Sequence, residues 1–203
     1  MLFKIIVLLL DGLSIYYAIK NKTNMTIRWG VIIFNIISIF ALYYNTMLVK
    51  KNGVKNAFSS LDVMFKKRND LIPNLVSTVK GYMKHEQETL EKVILLRSNL
   101  INNNSLKNNS EMSKYVNEIL ANMESYPDLK ANEQSLRLQK TLYEIEEMIS
   151  AGRRTYNAHV TNYNNFISIF PNLLFAKFFG FKKISLFKVQ EELREGKIYY
   201  NEK

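Results

Sequence analysis

Apolar residues fall along this chain in two ways: near-continuous runs in the first 49 positions, then residues recurring every three or four. Trp29–Val49 holds 21 residues without a charge, and only Asn35, Ser38, Asn45 and Thr46 in it are strongly polar. A helix of that length covers about 30 Å, the hydrocarbon thickness of a bilayer. Leu2–Ile19 is a second apolar run, interrupted by Lys4, Asp11 and Ser14. Asp11 after the apolar centre and the lack of a small-residue cleavage pattern argue against a cleaved signal peptide. The run reads as a first transmembrane helix, with an interfacial helix as the alternative. Asp11 could be relieved by a polar partner on the second run, such as Asn35.

Beyond Val49 the periodicity is helical throughout. Val54, Phe58, Leu61 and Phe65 continue the second run as an amphipathic helix, with Gly53 its one expected hinge. Such continuity would set the anchor and the following bundle rigidly against the bilayer. Proline restricts the residue before it, so Ile72-Pro73 predicts a helix end at Asn69–Asp70 and a new helix from Pro73 to Leu100. The inner face of that second helix reads Leu75, Val79, Tyr82, Glu86, Thr89 or Leu90, Val93, Leu96 or Arg97, and Leu100. Asn102–Ser110 reads as a polar loop, Glu111–Ser125 as a shorter helix, and Tyr126-Pro127-Asp128 with Lys130 as a turn. From Leu138 through Ile145, Gly152, Tyr156 and Tyr163 to Phe170 the spacing alternates between three and four, with one stutter at Gly152. Pro171 ends that helix. Leu173–Phe181 is Phe-rich, and Phe187, Val189 and Leu193 suggest a short tail helix.

The predicted fold is therefore all-α. An amino-terminal transmembrane helix or hairpin (1–49) precedes an antiparallel bundle of about four helices (50–170). A Phe-rich cap and tail helix (171–203) follow.

Composition narrows the function. The chain has no cysteine, which removes disulfides, thiolate metal sites and cysteine nucleophiles. Its two histidines, His85 and His159, lack the Glu-x-x-His spacing of a di-metal bundle, because Tyr82 and Tyr156 precede them by three. No phosphate-cradling glycine loop, GxSxG or HExxH occurs, so no catalytic residue, metal site or cofactor is assigned. The net charge of +10 includes about +7 after residue 49, without a nucleic-acid motif. It suits a surface near anionic lipid better than nucleic acid. Lysines and Arg68 cluster within about 20 residues after Val49, which keeps that flank in the cytoplasm by the positive-inside rule.

Three groups of residues stand out. Lys67, Arg68, Asp70, Pro73 and Asn74, with Lys80, form a basic helix junction. It could bind a partner, or Asp70 could simply cap a helix. Glu86, Arg97, Arg153, Arg154, Tyr156, Asn157, Tyr163 and Asn164 lie on or beside inner faces. They read as a polar layer fixing register, with Glu86 paired to Arg153 or Arg154, or else as a ligand site in the bundle interior. The Phe-rich stretch Leu173–Phe181 reads as a hydrophobic cap on the bundle, or as an interfacial lipid anchor.

Ordered blocks of residues then resemble one family. They are Phe58–Val63, Lys67–Val76, Val79–Tyr82, Tyr126–Asn132, Leu138-Gln139, Ala151–Asn157, Tyr163-Asn164, Phe170-Pro171 and Phe179–Phe181. Together they look like the signature of the LemA family. The resemblance implies a bacterial inner-membrane protein with a transmembrane helix and an antiparallel bundle, and leaves the biochemical role open. The chain departs from the family pattern in its extra run at Leu2–Ile19, and in Phe58 where a tryptophan is common. The expectation is a non-enzymatic scaffold in the lipid bilayer, facing the cytoplasm and docking another membrane or envelope protein.

Overall fold

The computed structural model describes residues 12–14, 16, 20, 25–83, 85–102 and 105–187. All regular structure among them is helical: α1 Met25–Val79, α2 Gln87–Asn102, α3 Leu106–Met123, α4 Pro127–Ala131, α5 Glu133–Ser168 and α6 Asn172–Phe178. The chain forms two compact units. One comprises residues 1–55 with 159–185, the other 56–158 with 186–203. The tail helix expected beyond Phe187 and the position of Asp11 lie outside the described residues.

In the first unit, α1 supplies the helix long and apolar enough to cross a membrane. Only 6% of its most apolar 18-residue window is buried within the protein, whereas a core helix of a soluble fold would be mostly covered. Ile33, Phe34 and Ile37 face outward, while Asn35 is buried. Its amide donates to the Val31 carbonyl and to Ser14 Oγ, at 2.7 and 3.2 Å. Ser14 of the first apolar run thus meets Asn35, the residue considered from sequence as a partner for Asp11, which is not among the described residues.

Gly53 is the position expected to act as a hinge. It lies inside α1, and a Cβ there would come within 3.2 Å of His159 Nδ1 on α5, so its small size serves a close approach of two helices. Lys50 Nζ donates to Asn162 Oδ1 nearby at 2.8 Å.

The second unit is a bundle of α2, α3 and the adjoining lengths of α1 and α5. Its apolar core joins Ile72, Leu75 and Val79 of α1 to Val93 of α2, Val116, Ile119 and Leu120 of α3, and Leu142 of α5. Phe58 meets Tyr156, Leu61 meets Gly152 and Arg68 meets Glu146, so α1 and α5 run antiparallel here. The Gly152 stutter is another close approach, since a Cβ would lie 3.0 Å from Leu61 Cδ1.

Several boundaries move from their sequence-based positions. The helix does not end at Asn69–Asp70 and restart at Pro73; α1 runs through Pro73 to Val79. The break falls at Lys80–Glu86, where the turn buries Met83 and leaves Tyr82 exposed, reversing the stripe read from sequence. Asp70, in mid-helix, caps nothing. The polar loop is shorter than expected, because Ser105 accepts a bond from the Asn108 amide and starts α3 at Leu106. The Tyr126–Asp128 turn continues as the short helix α4, with Pro127 in its first turn.

Candidate functional site

Passage of α1 through Pro73 needs a compensation. Proline has no N–H, so the carbonyl of Asn69, four residues earlier, loses its helical donor. Arg97 of α2 fills the gap, its Nε donating to the Asn69 carbonyl at 3.2 Å. A charged residue on the inner stripe of α2 is thereby accounted for. Lys67, Asp70, Pro73 and Asn74 are exposed on α1, and Lys80 is exposed in the turn just after it.

Arg68 is different. It was grouped with that exposed junction, yet it is fully buried. The 4-3-4-3-4 spacing of Leu61, Phe65, Arg68, Ile72, Leu75 and Val79 puts it on the core stripe of an unbroken helix. Its Nη1 donates to Ser113 Oγ at 2.7 Å, to Glu146 Oε1 at 3.1 Å and to the Asn109 carbonyl at 3.3 Å. Its Nη2 donates to Asn109 Oδ1 at 2.8 Å. Asn109 and Ser113 stand one turn apart on α3, and Glu146 is likewise buried, on α5.

Arg153 joins this cluster from α5. Its Nη2 donates to Ser113 Oγ at 2.7 Å and to the Asn109 carbonyl at 3.4 Å, and its guanidinium lies 4.6 Å from the Phe187 ring centre. Two guanidiniums therefore share two acceptors, and the Glu146 carboxylate is bonded to Arg68. Burial pulls the Arg68 pKa down, and Glu146 partly restores it. Arg153 is lowered first by burial and also by Arg68, with Glu146 opposing both. The cluster joins Arg68 of α1, Asn109 and Ser113 of α3, and Glu146 and Arg153 of α5, a buried network that fixes the register of three helices.

The remaining members of the anticipated polar layer go elsewhere. Glu86 accepts the Tyr126 hydroxyl on both oxygens, at 3.0 and 2.8 Å, rather than an arginine. That bond raises the Tyr126 pKa. Arg154 is exposed and donates to Ser150 Oγ at 3.2 Å. Tyr156 is buried against Phe58, and its burial raises its pKa. Asn157 clasps the backbone of Phe187, accepting from its N–H at 2.8 Å and donating to its carbonyl at 2.9 Å. In the other unit Asn164 does the same to Ile184, and the buried Tyr163 donates its hydroxyl to the Lys182 carbonyl at 3.0 Å. Tyr163 and Asn164 thus hold a strap of non-helical residues against α5 in one unit, and Asn157 holds the strap's Phe187 against α5 in the other. Asp128 and Lys130 are exposed on α4.

An open depression of about 790 Å³ lies on the bundle surface, lined by Asn117 of α3 and by Leu136, Gln139, Lys140, Tyr143, Glu144, Glu146 and Glu147 of α5. Glu86, Arg97 and Arg153 do not line it. The three bond to separate partners, Tyr126, the Asn69 carbonyl and Ser113. Among the described residues no three histidine, aspartate or glutamate side chains converge as a metal-holding group.

Sequence reasoning missed Asn109, Ser113, Glu146 and Phe187. Asn109 was hidden by the loop assigned over it, and Ser113 was a polar residue inside the predicted helix Glu111–Ser125 with no pattern to mark it as buried. Glu146 was legible as the residue four after Leu142 and three before Ile149, both buried.

Residues 57–198, the bundle and the strap together, match the LemA family. The chain belongs to the LemA family. It is also similar to Protein LemA of the bacterium Metamycoplasma hominis, at 28% identity over 189 residues, covering 85% of this chain and 86% of that one. The buried Arg68–Glu146 pair, the Arg97 brace and the asparagine-held strap all fall inside the LemA match, while most of the membrane-length part of α1 precedes it.

Proposed function

We propose that this LemA-family protein is a non-enzymatic scaffold of the bacterial inner membrane. Its helical bundle stands in the cytoplasm and docks another membrane or envelope protein. The observation that carries this reading is where the charged and polar side chains go. Arg68, Arg97, Glu146 and Arg153 brace helices, while Lys67, Asp70, Pro73 and Asn74 face solvent along one helix and Lys80 just beyond its end. Docking surfaces use exposed, rigidly held residues, and a helix braced from behind supplies them. The excess of Lys and Arg just after Val49 supports the cytoplasmic placement.

The test is affinity capture of the full chain from detergent-solubilised membranes, with Lys67→Ala/Asp70→Ala as the comparison. The reading expects a reproducible co-purifying membrane protein that the double variant loses, at unchanged helical content. Equal recovery with both chains would remove this face from the account.

A further inference from the structure

α6 packs on the membrane-length part of α1 within the first unit. Phe40 makes edge contacts with Phe175, Phe178 and Phe179 at centroid distances of 5.0, 5.5 and 6.0 Å. Tyr43 stacks on Phe175 at 4.3 Å, and Tyr44 meets Phe179 and Phe181 at 5.1 and 5.9 Å. Lys50 and Lys51 end the uncharged run of α1 and fix where that helix leaves the hydrocarbon. Phe40 lies ten residues before Lys50, about 15 Å along the axis. The headgroup layer on one side is only about 5–8 Å deep. A helix seated on Phe40 and Tyr43 therefore cannot sit in bulk water if α1 spans.

The rest of α6 fits that depth. Ile169, Phe170, Leu174 and Phe178 turn 59–76% of their surfaces outward. Residues 169–187 contain Lys177, Lys182 and Lys183 and no acid. All three lysines are exposed, and Lys51 lies 5.7 Å from the Phe181 ring centre. Aromatic rings with flanking lysines whose stems reach to the headgroups are the composition of an interfacial element.

We infer that α6 and its flanks form a lipid-binding element that inserts into the leaflet at the Lys50–Lys51 end of the span. Phe170, Leu174 and Phe178 enter the acyl boundary, and Lys177, Lys182 and Lys183 engage anionic headgroups. This goes beyond the scaffold reading and rests only on α1 crossing the bilayer.

Trp29 is the chain's one tryptophan, which makes depth measurable. Full-length protein is reconstituted into phosphatidylcholine–phosphatidylglycerol vesicles with and without brominated acyl chains. The native chain reports α1 through Trp29. Trp29→Phe/Phe178→Trp reports α6, Trp29→Phe/Leu174→Trp repeats the reading on the same face, and Trp29→Phe/Tyr82→Trp is the aqueous control on the bundle. The inference expects both α6 probes to lose roughly half or more of their emission to bromolipid and to resist iodide, as buried interfacial residues do. Iodide quenching at 174 and 178 equal to that at 82 overturns it. So does shielding from both quenchers that grows with protein-to-lipid ratio, which would mark a second copy as the cover. Failure of Trp29 alone to be quenched by bromolipid indicts the span instead, so the two claims fail separately.

Discussion

Pro73 sits inside α1 at a position where proline ordinarily breaks a helix, and Arg97 supplies the donor that proline removes. The pairing can be dissected with Arg97→Met, which keeps most of the apolar stem, and Pro73→Ala, which restores the missing N–H. A hydrogen bond from a charged donor contributes about 1.5–3 kcal/mol. Arg97 is half-buried, which places its bond near the lower end, about 1.5 kcal/mol. Pro73→Ala alone recovers part of the roughly 3 kcal/mol helix penalty of proline, less about 0.4–1 kcal/mol for a freer unfolded chain. With alanine at 73 the Asn69 carbonyl has its own helical donor. Arg97→Met should then cost about 0.5 kcal/mol, a coupling of about 1 kcal/mol between residues 24 positions apart. The assay is urea unfolding of the four proteins in one detergent, followed by far-ultraviolet circular dichroism. An equal cost of Arg97→Met in both backgrounds would falsify the proposed compensation.

Glu146→Gln leaves the fully buried Arg68 without its close carboxylate and should destabilise by about 3–5 kcal/mol, whereas Arg68→Met/Glu146→Leu should cost less than the two single changes together; thermal unfolding ranks them. Gly152→Ala should lose about 1 kcal/mol, because the new methyl presses on the buried Leu61 by more than helix propensity returns, while Gly81→Ala, which meets nothing within 4 Å, should gain about 0.5 kcal/mol. The raised pKa of Tyr126 means the folded chain holds that proton after the unfolded chain releases it, near pH 10. The contribution is therefore complete below about pH 10 and disappears as pH climbs through the folded-state value. A tyrosinate absorbance titration of the native chain minus Tyr126→Phe should show one phenol titrating above the ordinary range; a difference curve centred on the ordinary value would count against the Glu86 bond.

The all-helical fold and its membrane-length segment were legible because both depend on local spacing. An uncharged run of bilayer length and a three-four alternation can be read without knowing any neighbour. The break assigned at Pro73 failed for a non-local reason, since the donor that rescues the Asn69 carbonyl lies on another helix. That one error displaced others. With α1 broken, Arg68 no longer belonged to the stripe of Phe65 and Ile72 and was read as surface. Arg153 or Arg154 was expected to pair with Glu86; of the actual acceptors of Arg153, Asn109 lay under a run of polar residues that resembled a loop, and Ser113 was an unmarked polar residue in the predicted helix after it. Ser105 was a readable cap and would have put Asn109 on the helix. The asparagine clasps on Phe187 and Ile184 had no such signal, because a non-helical strap leaves no periodicity.

The account stands on α1 crossing the bilayer with the bundle inside. The chain has no cysteine, so single introduced thiols report the side without background. Met25→Cys at the start of α1 and Lys67→Cys on the bundle are both exposed positions. They are treated with a membrane-impermeant maleimide in intact cells and again after permeabilisation. The account predicts that residue 25 reacts in intact cells and residue 67 only after permeabilisation. Equal labelling of both positions in intact cells would contradict it.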